Sequence, residues 1–357
     1  MKHPLSLLVL AASLACGAVA PAAAAPTYRI KELGPGPHGW ASQALALNDG
    51  NVVVGWVQPE RNGPQIAAVW QPDAGVRTIG TLPGDVMSNA LAVNAAGQVV
   101  GFSGDGEAPE AFFYDPATGM QDIGHFESSR PNSSAMGISD DGVVIGHSVT
   151  STGALHAFTW TQAGGMVDPY PDAFGSEALG INGKNQWVGG LIKSASETGI
   201  RVSEAGRRTN LGHLVDDVPY TYGKALNRAG QVVGSSGAAD GSNHAFVWDK
   251  ANGIRDLGVL PGGTYSNATG INDAGVIVGI SDIPQGRGTV NTAFYYDEAL
   301  GMVDVKTLIP DDDPLKAIVQ FDAAQAINGQ GVIVVNGTIL KPGYTNTRYR
   351  AFLLVPQ

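Results

Sequence analysis

The chain is short of cysteine, of charge and of long apolar runs, and each shortage excludes something. One cysteine, Cys16, occurs in 357 residues, so an intrachain disulfide framework and a Cys-built metal site are both ruled out. Charged residues make up only 15% and sum to −11, with Arg207-Arg208 the only basic doublet. Neither a nucleic-acid binder nor a protein held to an anionic membrane surface is built this way. After the N-terminal segment no apolar run is long enough to span a bilayer. There is no Gly-x-Ser-x-Gly elbow and no His-Glu-x-x-His helix, and Gly104-Asp105-Gly106 lacks a P-loop lysine. The acidic runs Asp140-Asp141, Asp216-Asp217 and Asp311-Asp312-Asp313 do not have EF-hand spacing and read as solvated turns. No cofactor or metal is expected.

Glycine is plentiful, with 49 residues, about twice the usual share. Scattered between short apolar runs, it signals many turns and many short strands. The N-terminus has the three-part layout of a secretory signal: Lys2 and His3, an apolar stretch Leu5 to Val19, then Ala22-Ala23-Ala24. Cleavage is expected after Ala24, because Pro26 disfavours Ala25. It removes Cys16, whose preceding Ser13-Leu14-Ala15 is a poor lipidation signal. A secreted or periplasmic location follows.

The mature chain repeats itself about every 45 residues. The anchor is an Asn-x-x-Gly element: Asn94-Ala95-Ala96-Gly97, Asn227-Arg228-Ala229-Gly230, Asn272-Asp273-Ala274-Gly275 and Asn328-Gly329-Gln330-Gly331. Ser139 replaces the first residue once, and Asn51 and Asn185 replace the last. The fourth position is thus Gly or Asn in all seven copies, the residues that enter the left-handed region most cheaply. A hairpin turn with its first side chain bonded to the turn backbone is predicted. A small-residue run such as Ser88-Asn89-Ala90-Leu91-Ala92-Val93 precedes each turn, and an apolar run such as Val232-Val233-Gly234 follows it. A third strand such as His244-Ala245-Phe246-Val247-Trp248 and a fourth such as Arg255-Asp256-Leu257-Gly258 complete the unit.

Four strands per unit predict an all-β, seven-bladed β-propeller of four-stranded antiparallel blades, a single domain over 25–357. The chain opens with an unaccompanied fourth strand near Tyr28-Leu33 and ends with an unaccompanied third strand, Ala351-Val355. Pairing these N- and C-terminal strands closes the ring and removes an open edge. The fourth unit, with Gly199-Ile200-Arg201-Val202 for the aromatic strand, is irregular, and the seventh carries an insertion from Asp311.

These motifs resemble the HAF-repeat family of extracellular bacterial proteins, named for the element at His156-Ala157-Phe158 and His244-Ala245-Phe246. The longer pattern stands best in Asp256-Leu257-Gly258-Val259-Leu260-Pro261-Gly262-Gly263-Thr264-Tyr265-Ser266-Asn267-Ala268. The resemblance covers about Tyr28 to Phe352 and implies export and a repeat fold, with no catalytic residues to carry over. The histidines of the element are replaced by Ile66, Glu110, Thr198, Thr292 and Arg350 in the other units, which marks a structural or surface position.

In a four-stranded meander one rim carries the uniform first-to-second turns, and the opposite rim carries the connections of variable length. A scaffold with variable loops is how recognition surfaces are arranged. Candidate ligand-binding residues on that rim are Trp40, Arg130, Tyr220, Tyr222 and Tyr265, with His38, Arg61, Met87 and Arg287 nearby. Their rings stack on a sugar, anchor a protein, or pack locally. The expectation is a monomeric, exported, non-catalytic binding or scaffold protein for a glycan or protein partner. The alternatives are a secreted propeller enzyme, a glycan hydrolase or lyase with paired carboxylates, and a purely structural envelope protein.

Overall fold

The computed structural model describes residues 25–34, 39–72, 74–128, 132–193, 196–340 and 349–357; the expected leader lies outside them. Seven four-stranded antiparallel sheets follow one another. Blade two is typical, with Met87–Val93 innermost, then Val99–Gly104, Glu110–Asp115 and Gly119–Asp122. In blade seven, Tyr28–Glu32 pairs antiparallel with Tyr349–Pro356, from Tyr28 opposite Pro356 to Glu32 opposite Phe352. The ring is closed as the sequence predicts.

The turns form for the predicted reason. The fourth residue has positive φ in all seven, from 55° at Asn185 to 82° at Gly275. The first side chain accepts turn N–H groups, as Asn94 Oδ1 does from Gln98 at 3.0 Å and Ser139 Oγ from Val143 at 3.1 Å.

Each innermost strand also carries a β-bulge, for example between Ala90 and Ala92 and between Gly223 and Ala225. The bulge explains the glycine that closes each second-strand run. A Cβ on Gly55, Gly101, Gly146, Gly189, Gly234, Gly279 or Gly337 would lie 1.9–2.1 Å from an innermost-strand carbonyl oxygen. Four of these glycines also face a fully buried ring across the sheet: Phe112, Phe158, Phe246 and Phe294.

Serines stitch blade to blade. Ser88 Oγ accepts the Ala67 N–H at 2.9 Å and donates to the Gly80 carbonyl at 2.6 Å, both in the preceding blade. Ser133, Ser176 and Ser266 accept from Ala111, Ala157 and Ala245 in the same way. The small residues that precede each turn therefore include inter-blade connectors.

The insertion falls in the connection from blade six to blade seven and braces the closure. Asp313, 4% exposed, accepts the Ile30 N–H at 2.9 Å, and Asp312 pairs with Arg29 at 2.7 Å. The outermost strand of the last blade is thereby covered where a free edge would invite another chain.

Candidate binding surfaces

The seven uniform turns surround one mouth of the axial channel. There the Asn side chains form a belt, each donating from Nδ2 to the backbone carbonyl of the next turn. The links are Asn48 to Asn94, Asn94 to Ser139, Asn182 to Asn227, Asn227 to Asn272, Asn272 to Asn328 and Asn328 to Asn48, at 2.8–3.2 Å. Ser139 has no such donor, so the belt is open toward Asn182. The dish inside it, about 270 Å³, is lined below the turns by aliphatic side chains such as Leu47, Val93 and Ile138. Asp49, Asp140 and Asp273 stand on its rim and accept the N–H groups of Gly329, Ala95 and Arg228. The Arg228 guanidinium lies 3.6 Å from Asp140 and 3.8 Å from Asp273. Each of the three carboxylates thus ties its own turn to a neighbouring one.

The opposite rim holds the sequence-predicted residues, Arg130 and His38 lying outside the described ones. Trp40 donates its N–H to Gln58, accepts Arg350 on its carbonyl, and has the Arg61 guanidinium 5.4 Å over its ring. Tyr220 and Tyr265 each precede an innermost strand, and their carbonyls accept the hydroxyls of Ser236 and Ser281. The Tyr265 N–H is held by Asp282 at 2.8 Å. Tyr222 sits inside the innermost strand of blade five, Thr221–Leu226, opposite Ser235. These residues are spread over several blades and do not form one site.

The residue the sequence reading missed is Phe174. It is 70% exposed, the most exposed large apolar side chain among the described residues. It stands two residues before Ser176, the register that places Trp40 before Ser42 and the exposed Val86 before Ser88. That register was the available signal. Phe174 separates two grooves at the seam of blades three and four. One, about 790 Å³, is lined by Tyr170, Leu191, Ile192 and Arg208. The other, about 670 Å³, is lined by Thr150, Ser151, Thr152, His156 and Asp168. Tyr170 packs on Trp187 and lies under the Arg208 guanidinium at 5.0 Å. Burial pushes its phenol up to about 12, and its hydroxyl is buried without a protein partner.

The histidines of the repeat lock this rim. His156 Nδ1 meets Asp168 at 2.8 Å and His244 Nδ1 meets Asp256 at 2.9 Å, each twelve residues on, Asp168 just after the fourth strand and Asp256 within it. The other carboxylate oxygen accepts the N–H two residues later, from Tyr170 and Gly258. Thr292 with Asp304 and Arg350 with Glu32, the latter at 3.3 Å, fill the same places in other blades. In blade two the pair is Glu110 and Asp122, and Glu110 is pushed up by burial and by its neighbour's charge. In four blades the position thus carries a cross-strand polar latch, whereas blade one places Ile66 there and blade two sets two carboxylates side by side.

No protein-family model and no curated protein matches the chain. Among solved structures it resembles the β-propeller domain of the Trilobed protease from Pyrococcus furiosus, with 8% identity, a TM-score of 0.53, and 88% of this chain and 93% of that one covered. That domain has an open velcro topology, whereas this ring is shut by Tyr28–Glu32. It also resembles virginiamycin B lyase from Staphylococcus aureus, with 10% identity, a TM-score of 0.50, and 92% and 99% covered. TolB from Acinetobacter baumannii aligns at a TM-score of 0.44 and 12% identity, with 77% of this chain covered, and this chain spans 61% of its length. The sheet order and the closing pair define the class, a closed seven-bladed β-propeller, and the first two likenesses agree with that fold. At such identities they establish the fold alone.

Proposed function

We propose that this is an exported, non-catalytic binding protein of the HAF-repeat kind, acting in the periplasm or outside the cell, whose variable rim recognises a glycan at the seam of blades three and four. The observation that carries the reading is Phe174. It is an exposed ring with a groove on each side, flanked by the hydroxyls of Thr150, Ser151 and Thr152 and by the Arg208 side chain. A sugar offers an apolar C–H face for such a ring and hydroxyls for such a border. The three-part layout of the N-terminus, read as an export signal, supports a location where glycans are met.

A glycan array on the mature protein, followed by titration of the best ligand against Phe174→Ala, tests this. Loss of an interface aromatic anchor is worth about 2 kcal/mol, or roughly thirtyfold in affinity. An array without binding, or a ligand that Phe174→Ala binds equally well, refutes the site. Capture of a protein through Phe174, with no glycan bound, would replace the glycan by a protein partner.

A further inference from the structure

Each blade meets the next along a seam, and the repeat shows which polar contact belongs there. At equivalent places in three fourth strands stand Arg77 opposite Val69, Arg255 opposite Val247 and Lys31 opposite Leu353. The two arginines reach the following blade. Arg77 donates to the Tyr114 hydroxyl at 2.9 Å. Arg255 donates to the Tyr296 hydroxyl at 2.9 Å and pairs with Glu298.

The closing seam, from blade seven to blade one, keeps the cation and lacks these acceptors. Trp70 stands in the place of Tyr114 and Tyr296, and Pro72 in the place of Glu298. The Trp70 indole is a donor and is already committed to the Gly34 carbonyl at 2.9 Å. Lys31 is exposed and has no hydrogen bond or ion pair among the described residues. Its charged strand neighbours are taken, Arg29 by Asp312 at 2.7 Å and Glu32 by Arg350 at 3.3 Å. Glu32 also lies on the other face of the sheet. It is opposite Phe352, which packs toward blade six, whereas Lys31 shares the face of Leu353, which packs toward blade one. A groove of about 300 Å³ opens beside Lys31. Its walls include Leu33, Val332, Leu353 and Val355 of blade seven, with Trp70 and Pro72 of blade one. All of these but Pro72 belong to the hydrophobic cluster between the two blades, so the cluster is open to solvent here.

We propose that this groove binds a small carboxylate with an apolar body, the carboxylate on Lys31 and the body against Trp70, Leu353 and Val355. One uncommitted cation asks for one anionic group, in the place where Arg255 has Glu298. The apolar walls ask for a chain or a ring behind that group. A sugar acid would set its hydroxyls against those walls without partners. The site is separate from Phe174 and does not depend on it.

Calorimetric titration of the mature protein with octanoate and phenylacetate, against 1-octanol and acetate, tests the assignment. At least one of the two apolar carboxylates is expected to bind, about tenfold or more tighter than 1-octanol, which lacks the charge, and acetate, which lacks the body. Lys31→Gln should weaken it about tenfold, and Lys31→Arg should retain it. Pro72→Glu, which restores the carboxylate of blade six, should also weaken it by competing for Lys31. Both positions are exposed, so these variants are expected to fold. Phe174→Ala should leave binding unchanged. No binding of either carboxylate, equal binding of 1-octanol, full affinity in Lys31→Gln, or loss in Phe174→Ala would overturn the proposal.

Discussion

Ser139→Asn should stabilise the protein, because it supplies the one donor missing from the belt around the channel mouth. In the other six blades the Asn carries out two tasks: Oδ1 holds its own turn and Nδ2 reaches the next blade at 2.8–3.2 Å. Ser139 performs only the first, through Oγ and Val143. The site is already 2% exposed, so the substitution transfers little new surface from water. One net hydrogen bond contributes about 0.5–1.5 kcal/mol, against a smaller cost for fixing the longer side chain. Because the entropy of unfolding grows with chain length, that gain raises the melting temperature by only about 1–2 °C here. Calorimetry together with urea unfolding resolves such a change. The reverse swap, Asn94→Ser, keeps the turn and removes the Nδ2 bonds to the Ser139 carbonyl and to Gln98 Oε1, so it should lose at least as much. If Ser139→Asn lowers stability or leaves it unchanged, while Asn94→Ser costs nothing, the belt is a geometric coincidence without energetic weight.

Gly234→Ala should be among the most destabilising single methyl additions, because its Cβ would meet the Tyr222 carbonyl at 1.9 Å and backbone cannot step aside as a side chain can. A loss of about 3 kcal/mol or more is expected by urea unfolding, above the usual overpacking penalty, and a loss under 1 kcal/mol would contradict the bulge geometry. Burial pushes Asp322, in the innermost strand of blade seven, up to about 6 from an ordinary value near 3.8. The folded state therefore favours the protonated acid. Its contribution is fully present below pH 3.8 and is lost as pH rises through about 6. Asp322→Asn should remove that part of the pH dependence between about 4 and 6 in thermal melts, and an unchanged profile would show that the carboxyl is solvated.

Much of the fold was legible because its signals are local and repeated. Left-handed turn residues recur at Asn51, Gly97 and their five counterparts, and the unmatched end strands call for closure. What escaped is what depends on a partner in another blade. The glycine of Val232-Val233-Gly234 looks like a strand weakener until the bulged carbonyl of Tyr222 is seen above it. Ser88 looks like a polar residue at a strand entry until Ala67 and Gly80 are found on its hydroxyl. Tyr222 was assigned to the loops because the strand start was unmarked. The pairing of His156 with Asp168 could have been read from the spacing of twelve, which His244 and Asp256 repeat.

The position of Phe174 follows from the same logic, read in reverse. The repeated residues are already committed: serines to the preceding blade, asparagines to the next turn, glycines to the bulge, phenylalanines to the core. A ligand can only be served by positions outside those duties, or by blades that depart from the pattern. Blades three and four depart most. Their fourth strands, Gly165–Val167 and Arg208–Asn210, have three residues each, the shortest in the ring. Blade four also places Ile200 where four other blades carry a Phe opposite the same glycine. Shorter outer strands cover less of the seam, and a smaller core side chain leaves Tyr170 to fill it from outside against Trp187. The groove beside Phe174 is the space that remains. Lengthening the fourth strand of blade four toward the pattern of blade five should close that groove and abolish binding at Phe174, even though Phe174 itself is untouched.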